Sequence, residues 1–435
     1  MQRIPARSWW ALVVVGLAGQ VAWTIENLYL NLFVYETITD SPTAIAATVA
    51  ASAIAATLAA FVIGSWSDRV GRRRVFIAGG YVLWGLSTMA FGLVSPENAA
   101  RFVPFAGAVG AAVVAIIVVD SVMSFLGAGA NDAAFNAWVT DITAVENRGR
   151  VDGVLQAMPL VSMLLVFGAL DPMTQAGQWG AFFVLIGAVM VATGVLAWFL
   201  VKDAARIRPT EGSSLRAILS ALRPVEVRRN PGLLLTLSAL AVVGVSSQVF
   251  LPYVLIYIQH TLQIEAYALV LGVVLTGASV VGVLGGRVID KVGKVRAMLP
   301  ALAIYVIGLL MMAAVRDLVP VILAGLVTFS GFLVISAAVN ASVRDHTPED
   351  RVGAVQGLRM VFFVLIPMVI GPAIGAAVIH GADQYYEDLG QLKLVPSAGI
   401  FTAAAVVAVL TVVPIVALRQ SDRAARGPVS RTVDA

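Results

Sequence analysis

Apolar runs of about 20 residues or more alternate with short charged segments along the whole chain. They fall at 9–34, 43–65, 74–94, 113–140, 152–171, 180–201, 232–258, 266–288, 297–315, 318–341, 352–379 and 398–418. At a 1.5 Å rise per residue, a run of this kind crosses the ~30 Å hydrocarbon layer of a bilayer as an α-helix. Strands are excluded as the spanning element. Barrel strands are only about 10 residues long and alternate in polarity, and backbone groups in lipid must be paired within the segment or in a closed barrel. The pattern therefore predicts an all-α integral membrane protein with twelve transmembrane helices. The first run is too long for the core of a cleaved signal and is read as a retained helix. The stretch 96–112 does not make a span of its own; it is either an outer loop with an interfacial helix or an extension of the fourth helix.

Composition agrees with this pattern. Hydrophobic residues make up 59% of the 435-residue chain and charged residues 12%, against about 25% charged in soluble domains. Cysteine is absent, which excludes disulfides and thiolate metal sites. The histidines, His260, His346 and His380, are scattered and do not suggest a metal cluster. The net charge of +4 does not indicate nucleic-acid binding, because the basic residues sit in loops between apolar runs. With an even helix count, all Lys and Arg except Arg101, Arg316, Lys393 and Arg359 fall on the side of the termini. By the positive-inside rule both termini are expected in the cytoplasm, with the chain in the plasma (inner) membrane.

One charged segment occurs twice. Gly64-Ser65-Trp66-Ser67-Asp68-Arg69-Val70-Gly71-Arg72-Arg73-Arg74 is matched 222 residues later by Gly286-Arg287-Val288-Ile289-Asp290-Lys291-Val292-Gly293-Lys294-Val295-Arg296. Both read Gly-x-x-x-Asp-(Arg/Lys)-x-Gly-(Arg/Lys)-x-(Arg/Lys). A second repeat sets Asn136-x4-Asp141-x-Thr143 against Asn340-x4-Asp345-x-Thr347, 204 residues on. Topology alone does not require Gly and Asp at fixed spacing twice. The repeats divide the chain into an N-terminal six-helix bundle at 1–201, a basic linker at 202–230, a C-terminal six-helix bundle at 231–418 and a tail at 419–435.

The paired segments resemble the loops between helices 2 and 3 and between helices 8 and 9 of the major facilitator superfamily of transporters, and the resemblance covers nearly the whole chain. It implies two pseudo-symmetric six-helix bundles that rock about a central site. In that family the loop acid and bases latch the cytoplasmic face in the outward-open state. The resemblance places this role on Gly64, Asp68, Arg69, Gly71 and Arg72, with Asp141 as partner to an arginine. Gly286, Asp290, Lys291, Gly293, Lys294 and Asp345 form the second copy. Gly64 is expected to let helices approach closely, Gly71 to permit the turn, and Asp68 to cap the helix that begins near Val352.

Polar residues inside the spans mark the candidate site, because they are costly in hydrocarbon and face the bundle interior. Helix 1 carries Gln20, Thr24, Asn27 and Asn31 at helical spacing, bordered by Glu26. Helix 4 carries Asp120, Ser124 and Asn131, with Asp132 beside them. Helix 7 has Ser246, Ser247 and Gln248, and helix 10 has Ser336 and Asn340. The resemblance places helices 1, 4, 7 and 10 around the central cavity. Counting down from the outer helix ends sets Glu26 and Asp120 at one level, roughly 10–12 Å deep. Two carboxylates at one level suit sugar hydroxyls, a cation or a proton. Histidines are absent from mid-membrane, so a carboxylate is the proton-carrier candidate. Arg359 is expected to snorkel to the cytoplasmic surface, and Asp171 to be a helix-end charge before Pro172.

The Gly-Pro-x-x-Gly signature that many drug–proton antiporters of the family carry in helix 5 is missing there; Gly371-Pro372-x-x-Gly375 stands in helix 11. The start of helix 1 and the helix 4 acids look like those of sugar–cation symporters of the glycoside–pentoside type and of sucrose transporters. The helix 2 aspartates of the sodium-coupled members are absent, which favours the proton. The expected function is secondary active transport: proton-coupled symport of a small polar, sugar-like solute by a monomer in the lipid bilayer, with no cofactor beyond the coupling proton and no nucleic-acid partner. Efflux of amphipathic compounds or lipids, or a non-transporting sensor, is the alternative. Catalytic triads, metal-ligand patterns and phosphate-binding loops are not apparent, so an enzyme is not expected.

Overall fold

A computed structural model describes residues 5–101, 107–143, 147–203, 230–347, 352–388 and 391–425. Most of the basic linker and the end of the tail lie outside these residues. Twelve helices are long and apolar enough to span a membrane, and the chain is a multi-pass membrane protein. They are α1 (Ala6–Thr37), α2 (Pro42–Val70), α3 (Arg73–Leu93), α4 (Gly107–Ile142), α5 (Gly153–Gln175), α6 (Trp179–Leu200), α7 (Pro231–Thr261), α8 (Tyr267–Ile289), α9 (Lys294–Ala314), α10 (Leu318–Asp345), α11 (Gly357–Ala382) and α12 (Gly399–Ser421). The stretch 96–112 resolves into both expected alternatives: a short helix, Pro96–Ala100, precedes α4, which starts at Gly107.

Local chemistry sets the helix ends. Ser41 caps α2 by accepting from the Ala44 amide at 3.4 Å with Pro42 in the first turn, and Asn230 does the same for α7 through the Leu233 amide at 3.1 Å. These side chains satisfy amides that the helix leaves unpaired. Gly71 closes α2 at φ +68°, a conformation costly for any residue with a Cβ. The outward faces are apolar, with Leu86, Val118, Val189, Val283 and Ile307 all exposed, as lipid contact requires.

Glycines decide where helices touch most closely. A Cβ on Gly85 of α3 would lie 2.5 Å from the Gly187 carbonyl of α6, and one on Gly331 of α10 would run into the Tyr305 amide of α9. The loop-motif glycines are different. A Cβ on Gly64 meets only Ala133, at 3.7 Å, and one on Gly286 meets nothing within 4 Å. The expected close approach at Gly64 is therefore not made in this conformation.

The two halves meet along α2 with α11 and along α5 with α8. At the end of the bundle away from the termini they are joined by hydrogen bonds. The Tyr253 hydroxyl donates to the carbonyls of Pro42 (3.1 Å) and Pro372 (2.9 Å). The Tyr267 hydroxyl of α8 donates to Asp171 of α5 at 2.7 Å. Gln259 donates to Glu36 at 3.3 Å, and the Leu394 amide donates to Asp40 at 2.7 Å. Leu394 belongs to an antiparallel hairpin, β1 (Tyr385–Asp388) with β2 (Gln391–Leu394), in the α11–α12 connection. Tyr386 of this hairpin lies 5.7 Å from the His260 ring.

Candidate functional site

A cavity of ≈ 330 Å³ lies between the halves. Its wall on the first half is polar and includes Gln20, Trp23, Glu26 and Asn27 of α1, Ser52 of α2 and Asp132 of α4. The wall on the second half is mainly apolar, with Leu240, Val243, Phe332, Met360, Phe363 and Val364, relieved by Ser247, Gln248 and Ser336. A second, much smaller space of ≈ 10 Å³ lies beside it, also lined by both halves, and extends to Asp120.

Helix geometry at the site departs from a simple α-period. Ile25–Tyr29 in α1 and Ala128–Phe135 in α4 are π-helical. A π turn holds an extra residue and rotates the downstream face, so a stripe drawn at 3.6 residues per turn does not stay on one side. Of the α1 stripe, Gln20 and Asn27 reach the main cavity and Asn31 reaches the small one. Thr24 turns away to α5, where its hydroxyl lies 3.0 Å from that of Ser162.

The candidate residues divide into two groups. Glu26, Asp132, Asn27, Gln248 and Ser336 line the main cavity; Glu26 and Asp120 share the small one with Asn31. Ser124 supports Glu26 from behind, donating to its Oε1 at 2.6 Å. Asn131 is held in the packing of the first half: it accepts from Tyr81 at 2.8 Å and donates to Asp132 at 3.0 Å. Asn340 does not line the cavity; its amide donates to the Ser336 carbonyl at 2.8 Å. Ser246 is likewise structural, bonded to the Ala404 carbonyl at 2.7 Å.

At the terminal end, the central residue of the first loop cluster is Arg73. It is 2% exposed and pairs with Asp68 at 2.5 Å and with Asp141 at 3.2 Å, and it also donates to the Ser67 hydroxyl at 2.7 Å. Arg69 and Arg72, which the sequence reading favoured, are exposed. Asp141 has an arginine partner, but that partner stands at a variable position of the repeat. The next residue, Arg74, lies 4.3 Å over the Trp198 ring, and its amide donates to Asp203 at 2.9 Å. In the second copy Lys294 donates to both oxygens of Asp345 at 2.6 Å, and Lys291 is exposed. Gly293 has φ +96°. The Asp290 side chain lies outside the described residues, as do residues 348–351 leading into α11. The partner shown for Asp68 is Arg73, within its own half.

The expectation for Asp171 is corrected. Asp171 is not a helix-end charge: it is 1% exposed and accepts from Tyr29 and Tyr267, each at 2.7 Å, and from Gln175 at 2.6 Å. A carboxylate accepts several donors at once, and burial keeps them dry. Arg359 is half-buried: its guanidinium lies 5.7 Å from the Phe363 ring and its Nε is buried.

The family model described as Major Facilitator Superfamily matches residues 10–313 and 236–433. No curated protein matches the chain. Among solved structures, a point mutant of the nucleoside transporter NupG is similar at TM-score 0.74 and 11% identity, covering 94% of this chain and 99% of that one. The xylose transporter XylE from E. coli, in a partially occluded inward open conformation, has TM-score 0.65 and 13% identity, with 93% and 96% covered. A bacterial homolog of the human lysosomal transporter Spinster, inward-facing and unoccupied, has TM-score 0.65 and 16% identity, covering 96% of both chains.

Proposed function

The chain belongs to the Major Facilitator Superfamily, and from that premise we propose that it is a proton-coupled secondary transporter that carries a small polar, ring-bearing solute by alternating access. The observation that supports this most is the two-sided cavity. Its ≈ 330 Å³ accommodates a solute of sugar or nucleoside size. The amides of Gln20, Asn27 and Gln248 suit hydroxyl groups, and the faces of Trp23, Phe332 and Phe363 suit a ring. Glu26 and Asp132 put carboxylates on the same wall, where protonation and solute binding influence one another. Glu26 and Asp120 carry the proton in this reading. Transport of nucleosides and of xylose by two chains of the same fold is compatible with it.

The alternation follows from the contacts. With the halves joined at the end away from the termini, the cavity is closed on that side. The basic loops put that end outside the cell and both termini in the cytoplasm, in the inner membrane. In this reading the loop segments around Arg73 and Lys294, whose ion pairs here stay within one half, come together in the opposite end state, in which the terminal ends meet.

The purified protein in liposomes with an interior pH dye tests the reading. Sugars, nucleosides and amphipathic amines are added outside one at a time. Interior acidification on adding a sugar or nucleoside is expected, and its absence across the whole polar panel would overturn the proposal. The apolar wall of the second half supports a second reading, efflux of amphipathic compounds; a response to the amines alone, in the opposite sense, would establish it.

A further inference from the structure

The small space beside the main cavity differs from it in chemistry. Its polar lining is Glu26, Asn27, Asn31, Ser52, Asp120 and Gln248, and Leu30, Val49, Pro252 and Met368 complete the wall. Its ≈ 10 Å³ is the size of one water or one dehydrated ion. The Asn27 amide nitrogen donates to the Trp23 carbonyl at 2.7 Å and that of Asn31 to the Asn27 carbonyl at 2.9 Å. Each NH₂ group thus spends one N–H one turn back, while the amide oxygen keeps its acceptor capacity. Glu26 Oε2 and Asp120 Oδ1 are buried without a partner, on residues 7% and 1% exposed. The Ser124 hydroxyl is spent on the other oxygen of Glu26.

An enclosed space rimmed by carboxylate and amide oxygens is suited to a cation. Unpartnered carboxylate oxygens at this depth carry a large desolvation cost unless a cation or proton is present. A divalent ion commonly takes 6–8 oxygens or keeps several waters, and this space holds neither. We propose that it is a binding site for a small dehydrated monovalent cation, Na⁺ or Li⁺, held by Glu26, Asp120 and the side-chain oxygens of Asn27 and Asn31, and that protons compete for it. This rests on the reading of the central cavity as a coupled transport site and names a second ion for it. It also revises the argument drawn from helix 2: the acids here come from α1 and α4, and α2 supplies only Ser52.

The titratable groups facing the site are Glu26 from α1 and Asp120 from α4, with Asp132 one cavity away. The lining residues from α2, α7 and α11, among them Ser52, Gln248 and Met368, are uncharged. Glu26 also lines the main cavity, so an ion at this site touches the group that a solute meets.

The test uses the full chain in detergent without solute, at constant ionic strength. NaCl, LiCl or KCl replaces choline chloride, and intrinsic tryptophan fluorescence and thermal midpoint are followed. Trp23, one turn from Glu26, is the reporter. Na⁺ and Li⁺ are expected to give a saturable change that K⁺ does not, with the apparent Kd rising about tenfold for each unit fall in pH where protons compete for one site. Asp120→Asn and Glu26→Gln should each weaken Na⁺ binding at least tenfold. Asn31→Ala, which keeps both acids, should weaken it less. No Na⁺-specific change in the wild type would overturn the proposal, as would an equal K⁺ effect or unaltered Na⁺ binding in both acid variants. Solute-driven proton movement in liposomes is read separately, so a failed ion site leaves the transport reading standing, and a failed transport reading leaves the binding data standing.

Discussion

The two loop clusters occupy matching places in a repeated sequence, yet the structure gives them unequal weight. Arg73 is 2% exposed and its carboxylate partners Asp68 and Asp141 are 14% and 11% exposed, whereas Lys294 and Asp345 are 34% and 52% exposed. Removing one member of a buried pair leaves an uncompensated charge and costs about 3–5 kcal/mol. An exposed pair contributes about 0.2–1 kcal/mol. Arg73→Ala strands two carboxylates, while Lys294→Ala strands one that water already reaches. The difference, about 2–4 kcal/mol, is about 30- to 700-fold in an unfolding equilibrium. Both variants are purified in the same detergent and unfolded with denaturant while tryptophan fluorescence is followed. Arg73→Ala is expected to be much the less stable, and Arg73→Lys to recover part of the loss because it keeps the charge but not the forked geometry. Equal destabilisation by Arg73→Ala and Lys294→Ala would refute the argument from burial.

Glu26→Gln and Asp120→Asn are each expected to abolish proton-driven solute accumulation in vesicles while downhill solute exchange persists; wild-type accumulation in both would move the coupling site elsewhere. Tyr267→Phe removes a hydrogen bond from Asp171 that joins the halves, and a bond to a charged group contributes about 1.5–3 kcal/mol. It is expected to raise the population open at the end away from the termini about tenfold or more, read as faster maleimide labelling of Val49→Cys in a chain that has no native cysteine; an unchanged labelling rate would exclude that bond as a latch. Gly331→Val drives a side chain into the Tyr305 backbone and is expected to cost about 1–3 kcal/mol or more in stability, checked by thermal unfolding against Gly286→Val, where space is open. Asp68→Asn is expected to slow transport without loss of inserted protein, and unaltered flux would remove the latch role.

The twelve spans were legible because length and apolarity in lipid leave the backbone no alternative to helix. The placing of Glu26 and Asp120 about one small space was also within reach of counting, since helix rise converts residue number into depth. What escaped was rotation and pairing. The π turns at Ile25–Tyr29 and Ala128–Phe135 shift the faces of α1 and α4 beyond them by an amount no periodicity discloses, and Thr24, at the edge of the α1 stripe just before the first turn, packs on Ser162 of α5. Arg73 was passed over because the repeat places Val295 opposite it, and a repeat rewards what the halves share. Asp171 was misjudged because its donors, Tyr29 and Tyr267, lie far away in sequence on different helices.

The glycine contacts described above bear on how the molecule can move. Where α3 meets α6 at Gly85 and Gly187, and α9 meets α10 at Gly308 and Gly331, backbone lies against backbone, and neither helix can slide without first being lifted off its neighbour. Each half is thus braced like a frame. The π turns among the described residues fall in α1, α4, α5, α7 and α11, the helices that line the cavity or the seam between the halves, although α7 and α11 also meet backbone to backbone at Gly371 and Gly375. One surplus residue in such a turn is slack in an otherwise taut rod. The slack thus lies in the walls around the cavity, with the pairs α3–α6 and α9–α10 as abutments behind them.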